Sequence, residues 1–526
     1  MFIDANELAD NTKINADICI FGAGVAGLSI AREFINTPYK VCVLEGGGLG
    51  YEPESQALYE GKNVGVDYWS LESARIRFFG GTGNHWGGYC LPLEEDDFEK
   101  RSWVNNSGWP FKKADLDPFY DRARSVLKLQ QPSFSASDWQ PQGIDTLPFD
   151  ENFVENRVMQ MSPFSEVNTP FGATYKSFFE QSQNIEIFLH ANLVEINSNE
   201  NSSVITGVKA RSFSGRELKV NAKQYVLALG GIENARQLLL ANSTQESGLG
   251  NQNDLVGRYF ADHPFLSSQN TMLITDESIK TTLFYRDQIK ANALSGYLTL
   301  SPKLRAQEQL LTCRFTFEPL PWHSVPKGPS AVNSLWQSLK HLEYPEHLPG
   351  KIKNILFNID NVFSAAVSSS RKHKLLAARY VSTEVIPNHS SRVILDHDTD
   401  ELGQQKAILD WRLDGKQEID SIARSLKLLA RETGKNDIGR LKINLEQVAD
   451  WPESFAVGMH HMGTTRMHND PKKGVVDADC KIHGSKNFYV TGSSVFPTFG
   501  HANPTFTIVA LAIKLADKLK TELNKT

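Results

Sequence analysis

Apolar and polar positions change period several times along this chain, and each change marks a different kind of element. Asp17-Ile18-Cys19-Ile20-Phe21 is a short apolar run of the sort that forms a strand buried on both faces. Leu28, Ala31, Phe34 and Ile35 then recur at helical spacing. Val41-Cys42-Val43-Leu44 and Tyr225-Val226-Leu227-Ala228-Leu229 read as further buried strands. Phe488-Tyr489-Val490-Thr491-Gly492 is another, followed by an apolar helical run that reaches the C-terminal region. A different texture fills the middle. Thr271-Met272-Leu273-Ile274-Thr275, Arg314-Phe315-Thr316-Phe317 and the stretches 380–386, 392–395 and 408–413 are strand candidates of period two with no helices between them. Such strands predict an antiparallel sheet, in contrast to the α/β unit at the start.

Glycines give the first unit its chemistry. Gly22-Ala23-Gly24-Val25-Ala26-Gly27 follows the first strand at once, and Glu45 ends the second strand about 20 residues beyond, where a ribose-binding acid belongs. Gly22 permits a tight turn, Gly24 lets backbone approach a pyrophosphate, and Gly27 lets helix and strand pack closely. The pyrophosphate would lie on the positive end of the helix dipole. Two more glycine clusters suit contact with an extended cofactor: Gly80-Gly81-Thr82-Gly83-Asn84-His85-Trp86-Gly87-Gly88 and Leu229-Gly230-Gly231-Ile232-Glu233-Asn234. A dinucleotide touched from both ends and from the middle of a chain is long, which favours FAD over NAD. The predicted fold is α/β: a Rossmann-like FAD-binding domain interleaved with a substrate domain built on an antiparallel sheet. We expect the FAD domain at residues 14–95, 185–262 and 455–524, and the substrate domain at 96–184 and 263–454. A helical insertion near 321–376, with Trp322 and Trp336, stands apart from that sheet as a surface insertion or a lid.

Length and composition narrow the class. At 526 residues the chain exceeds one ordinary core. It is 40% hydrophobic and 22% charged with a net charge of −6, and has no basic stripe suited to nucleic acid. No apolar stretch approaches the ~20 residues of a membrane span. Acids at Asp4 and Glu7 stand where a signal peptide would carry basic residues, so a cytoplasmic location is expected, with export beside a partner subunit left open. Cys19, Cys42, Cys90, Cys313 and Cys480 form no Cys-x-x-Cys pair, which argues for a reducing compartment and against iron–sulfur or haem ligation. The histidines at 460, 461, 468, 483 and 501 lack metal-site spacing, so no metal is expected.

Those histidines point instead to proton transfer, because a base working near neutral pH favours imidazole. His460-His461-Met462-Gly463-Thr464 and Pro497-Thr498-Phe499-Gly500-His501-Ala502-Asn503-Pro504-Thr505, read with the early glycines, resemble the glucose–methanol–choline (GMC) family of FAD-dependent alcohol oxidoreductases. The resemblance covers the FAD domain well and the substrate domain in outline. It implies His460 as the base that takes the hydroxyl proton and Asn503 as its catalytic partner. His501, two residues away, competes for a place in the pocket. The His/Asn pair with Asn-Pro-Thr resembles the pyranose-oxidising branch. His85-Trp86 resembles the pyranose oxidase segment in which that His is bonded to the flavin, although Asn84 stands where those enzymes have Thr. A bond to the flavin and a packing contact are therefore both open. The same resemblance implies Ala26, Gly81, Thr82, Val194, Gly492, Ser493, Asn503 and Thr505 as cofactor contacts. The expected reaction is oxidation of an alcohol to a carbonyl, on a secondary ring hydroxyl of a sugar or glycoside, with hydride transfer to flavin N5. Alternatives are a non-sugar alcohol dehydrogenase or the flavin subunit of a multi-subunit electron-transfer dehydrogenase. The acceptor would be oxygen, a quinone or a separate cytochrome or small subunit.

Overall fold

The computed structural model describes residues 1–164, 170–266, 271–284, 293–319, 373–443 and 455–525. The strand Thr12–Phe21 runs straight into the glycine turn, because Gly22 (φ +95°) takes a left-handed turn that a side chain would strain. A Cβ on Gly27 would lie 2.0 Å from the Gly22 carbonyl oxygen, so the helix Val25–Glu33 can seat on the strand only with glycine there. Thr12–Phe21 pairs in parallel with Val41–Leu44 on one side and Glu217–Leu227 on the other. Ile185–Leu189 and Phe2–Asp4 extend the sheet beyond Val41–Leu44, and Phe488–Val490 pairs in parallel with Glu217–Leu227. Among the described strands of this sheet, Ile205–Arg211 alone runs the other way, pairing antiparallel with Glu217–Leu227 on one side and Asn192–Ser198 on the other. The register sets Phe21 beside Leu44 and Leu227, and Leu227 beside Val490, so four strands finish at one level. Ligands of such sheets bind outside the carboxyl ends of the strands.

Apolar burial explains the arrangement of helices. Thr505–Leu523 buries Val509, Ala512, Ile513, Ala516 and Leu519 on its inner side and packs against Val25–Glu33 and Lys113–Leu127. One core joins these helices to the parallel sheet.

Among the described residues the second sheet has nine strands, all antiparallel: Gly439–Lys442, Met272–Asp276, His373–Thr383, Cys313–Pro319, Leu294–Leu300, Val154–Met161 and Tyr89–Cys90 in order, with Pro264–Leu266 and Phe455–Val457 paired alongside. The amphipathic helix Lys416–Lys435 buries Ile422, Leu426 and Leu429 against a second core under this sheet. The two sheet types match the expected α/β class with its antiparallel substrate sheet.

One expectation changes. Stretches 392–395 and 408–413 do not join the nine-stranded sheet. Arg392–Thr399 and Gln405–Trp411 pair with each other as a local hairpin, and the free edge of the second takes up Gly61–Gly65 in parallel. A local partner and a glycine-bounded edge nearby satisfied the backbone without the larger sheet. The expected insertion near 321–376 lies outside the described residues up to 372, and His373–Thr383 is strand.

Candidate active site

The carboxyl ends of the parallel strands open into a cavity of about 350 Å³ that runs from Gly22 and Glu45 to His460 and Asn503. Glu45 is buried, and its two carboxylate oxygens accept the backbone N–H groups of Ala23 and Gly47 at 2.9 Å each. This fixes an acceptor at the mouth of the glycine turn with lone pairs left for ribose hydroxyls. The first turn of Val25–Glu33 has no side-chain cap, and neither has that of Thr505–Leu523; Val25, Ala26 and Thr505 all line the cavity. Two uncapped helix starts leave N–H donors and positive dipole ends for an anionic or acceptor-rich ligand. Above Gly24, Gly230 and Gly492 nothing lies within 4 Å of where a Cβ would be. The buried indole nitrogen of Trp86, also on the wall, has no protein partner. Open glycine backbone, a ribose acceptor and free donors over one long cavity fit FAD.

Of the sequence-predicted contacts, Gly22, Gly24, Ala26, Glu45, Gly81, Thr82, His85, Trp86, Gly492, Ser493, Asn503 and Thr505 line this cavity. Gly27 is not on the wall but seats the helix. Asn84 does not reach the cavity either: its amide donates to the Phe79 carbonyl at 2.9 Å and accepts from Gly172 N–H at 2.8 Å. Both ends of that side chain brace the glycine loop. Val194 sits at a break in register between strands, next to the lining residue Leu193, and its carbonyl accepts from Gln404 at 3.0 Å.

At the far end, His460 and Asn503 meet, with Nδ2 of Asn503 3.3 Å from Nε2 of His460. The other nitrogen of that ring, Nδ1, lies 2.9 Å from Nδ1 of His263. Nε2 of His263 is 2.9 Å from the Gly500 carbonyl oxygen. A carbonyl can only accept, so His263 carries its proton on Nε2 and its Nδ1 is a lone pair. His460 must then donate from Nδ1, which leaves its Nε2 lone pair turned toward Asn503 and the cavity. On the other side, Arg314 Nη1 donates to Asn503 Oδ1 at 3.0 Å, so the carboxamide presents its NH₂ to His460. Buried Asp262 accepts the backbone N–H groups of His263 at 2.6 Å and His460 at 2.8 Å, and the Tyr68 hydroxyl reaches its other oxygen at 2.5 Å.

Electrostatics agree with this proton assignment. Burial, with the Arg314 cation nearby, pushes His460 down to about 3, so its ring is unprotonated at neutral pH. Burial and then the His460 ring hold His263 well below the usual histidine range. Burial raises Asp262 to about 6 against hydrogen bonds from Tyr68 and the backbone that pull it back. His501 is buried behind the site, edge-on to Tyr297 at 5.5 Å, with neither ring nitrogen hydrogen-bonded. It does not line the cavity.

Sequence reasoning missed His263, Asp262, Tyr68 and Arg314. One signal was available for Arg314. It is a charged residue inside Cys313–Phe317, a run buried throughout, and such a local conflict marks functional positions. His263 and Asp262 gave no such signal, because their partners are 197 and 198 positions away.

A cavity lined by glycine turns and Glu45 that ends on an unprotonated imidazole and an amide donor suits flavin-dependent oxidation of an alcohol. The GMC oxidoreductase model matches residues 387–512. Over 96% of the chain and 92% of the relative, the sequence is 23% identical to 6'''-hydroxyparomomycin C oxidase of Streptomyces lividus. It is 19% identical to the fructose dehydrogenase large subunit of Gluconobacter japonicus over 98% of the chain and 99% of that protein. A variant of Aspergillus oryzae formate oxidase made to probe FAD modification superposes with a TM-score of 0.55 at 17% identity, covering 98% of this chain and all of its own. The match over residues 387–512 and these full-length likenesses make the chain similar to GMC oxidoreductases, and it is an FAD-dependent oxidoreductase acting on CH–OH groups. Among the described residues, no helix is long and apolar enough to cross a membrane.

Proposed function

We propose that the enzyme oxidises a secondary ring hydroxyl of a sugar or glycoside to a ketone, with His460 as base. The observation that carries this is the His460 Nε2 lone pair held at the cavity end, 3.3 Å from the Asn503 amide. Bound FAD supplies the acceptor for the hydride. His460 Nε2 takes the hydroxyl proton, and its Nδ1–H stays anchored on His263. The Asn503 NH₂ donates to the substrate oxygen as negative charge develops there. Sugar chemistry is supported by the names of the aminoglycoside oxidase and fructose dehydrogenase relatives. The large-subunit name of the latter favours a separate electron-accepting subunit.

The test is anaerobic titration of the yellow protein with sugars, glycosides, and aryl and aliphatic alcohols. Sugars or glycosides should bleach the flavin absorbance, and bleaching by aryl or aliphatic alcohols alone would overturn the substrate class. Acid precipitation of the same sample reads the second half of the proposal, that His85 on the cavity wall carries the flavin covalently. Yellow colour should stay in the pellet; its release to the supernatant would leave His85 as a packing contact.

A further inference from the structure

We propose that Arg314 is a positioning residue of the oxidation site: it holds the Asn503 carboxamide in the one orientation that turns its NH₂ to His460 and the substrate oxygen. This rests on the role proposed above for Asn503. Arg314 lies in the strand Cys313–Pro319 and is 5% exposed. Its Nη1 donates to Asn503 Oδ1 at 3.0 Å and touches Met159 Sδ at 2.9 Å, and its Nε has no partner. Most other arginines as deeply buried are held by acids; the exception, Arg466, donates to the Asn106 carbonyl and lies over the Tyr259 ring. Arg305 pairs with Glu94 and Asp96, Arg101 with Glu384, and Arg236 with Glu233 and Asp400. Among the described residues no carboxylate pairs with Arg314, so a structural ion pair does not account for it. A buried cation without a counter-charge is costly, and such costs persist where the arrangement serves a purpose.

The oxygen and nitrogen ends of a carboxamide are nearly the same size, so packing alone does not choose between the two flips. A flipped Asn503 would set its carbonyl oxygen against the His460 lone pair and the substrate oxygen, acceptor against acceptor. A guanidinium has only donors and cannot be deprotonated at working pH, so it permits only the productive flip. It also polarises the amide, making the NH₂ a stronger donor to developing negative charge.

The test is a double-mutant cycle on flavin reduction in the holoenzyme, with acetate binding read from the flavin difference spectrum. Asn503→Ala should slow reduction about 10²–10³-fold. Arg314→Met should slow it by roughly tenfold or more, in the reduction rate rather than KM, and should add little in the Asn503→Ala background, since paired groups are not additive. Arg314→Lys should recover part of the rate, and it carries the cycle if Arg314→Met loses its flavin. Acetate affinity should change little. Independent, multiplying losses, or a collapse of acetate binding in Arg314→Met, would make Arg314 a receptor for substrate charge and overturn the proposal. A harmless Asn503→Ala would instead overturn the role of Asn503 itself, and this inference with it.

Discussion

His460 shows how far one side chain depends on atoms it was not recruited with. Its lone pair faces the cavity because the Gly500 carbonyl fixes the tautomer of His263, and His263 fixes that of His460. His460→Ala should therefore slow anaerobic flavin reduction about 10²–10⁴-fold, the usual worth of general base catalysis, while the flavin spectrum stays intact. Stopped-flow reduction measures it. A rate within threefold of the parent, or a larger loss from His501→Ala, would remove His460 from the role. That His460 and Asn503 share one site was legible because both lie in short local motifs. His263 and Arg314 were not, since a tautomer or an amide flip is decided by groups that meet only after the chain has folded.

Among elements, the strand Phe2–Asp4 is tied to the cofactor side of the sheet by a charge bridge. His190 Nδ1 lies 2.9 Å from Asp4 and Nε2 3.0 Å from Glu52. Burial pulls the pKa of this ring down, but the hydrogen bonds to Glu52 and Asp4 outweigh it, and the net effect is a pKa above the ordinary 6.5. A histidine raised by folding contributes stability that is fully present below pH 6.5 and is lost as pH rises through the folded value. The melting temperature of the parent should exceed that of His190→Ala by more at pH 6 than at pH 8. Equal differences at both would show that the ring acts through packing alone. The elements themselves were partly readable: Val41–Leu44 and the apolar ends of Thr12–Phe21 and Glu217–Leu227 announce themselves, whereas the polar stretches 12–16 and 217–224 that begin the latter two carry no such run. The hairpin of Arg392–Thr399 and Gln405–Trp411 misled, because period two identifies a strand without saying which sheet receives it.

For the whole molecule, the parallel sheet is assembled from segments spread between Phe2 and Val490. A chain ending before Phe488 should lose both the strand Phe488–Val490 and the helix Thr505–Leu523, whose first turn lines the cavity. We expect such a truncation to be colourless after purification with added FAD, as read by absorbance. A yellow truncated protein would mean that the remaining wall suffices. The class of fold was legible because the two periodicities separate the two sheets and glycine clusters recur at both ends and in the middle of the chain, whereas the order of strands within each sheet left no local trace.

The pairing of Tyr225–Leu227 with Phe488–Val490 also sets a clock on synthesis. The apolar edge Tyr225-Val226-Leu227 leaves the ribosome roughly 260 residues before the strand that covers it. At ~5–20 residues per second that edge waits roughly 10–50 s, long enough to meet a neighbouring nascent chain. An uncovered edge of this kind templates strand addition. Slow, cool expression with abundant chaperone should therefore raise the soluble yield of this enzyme more than any change to its finished surface.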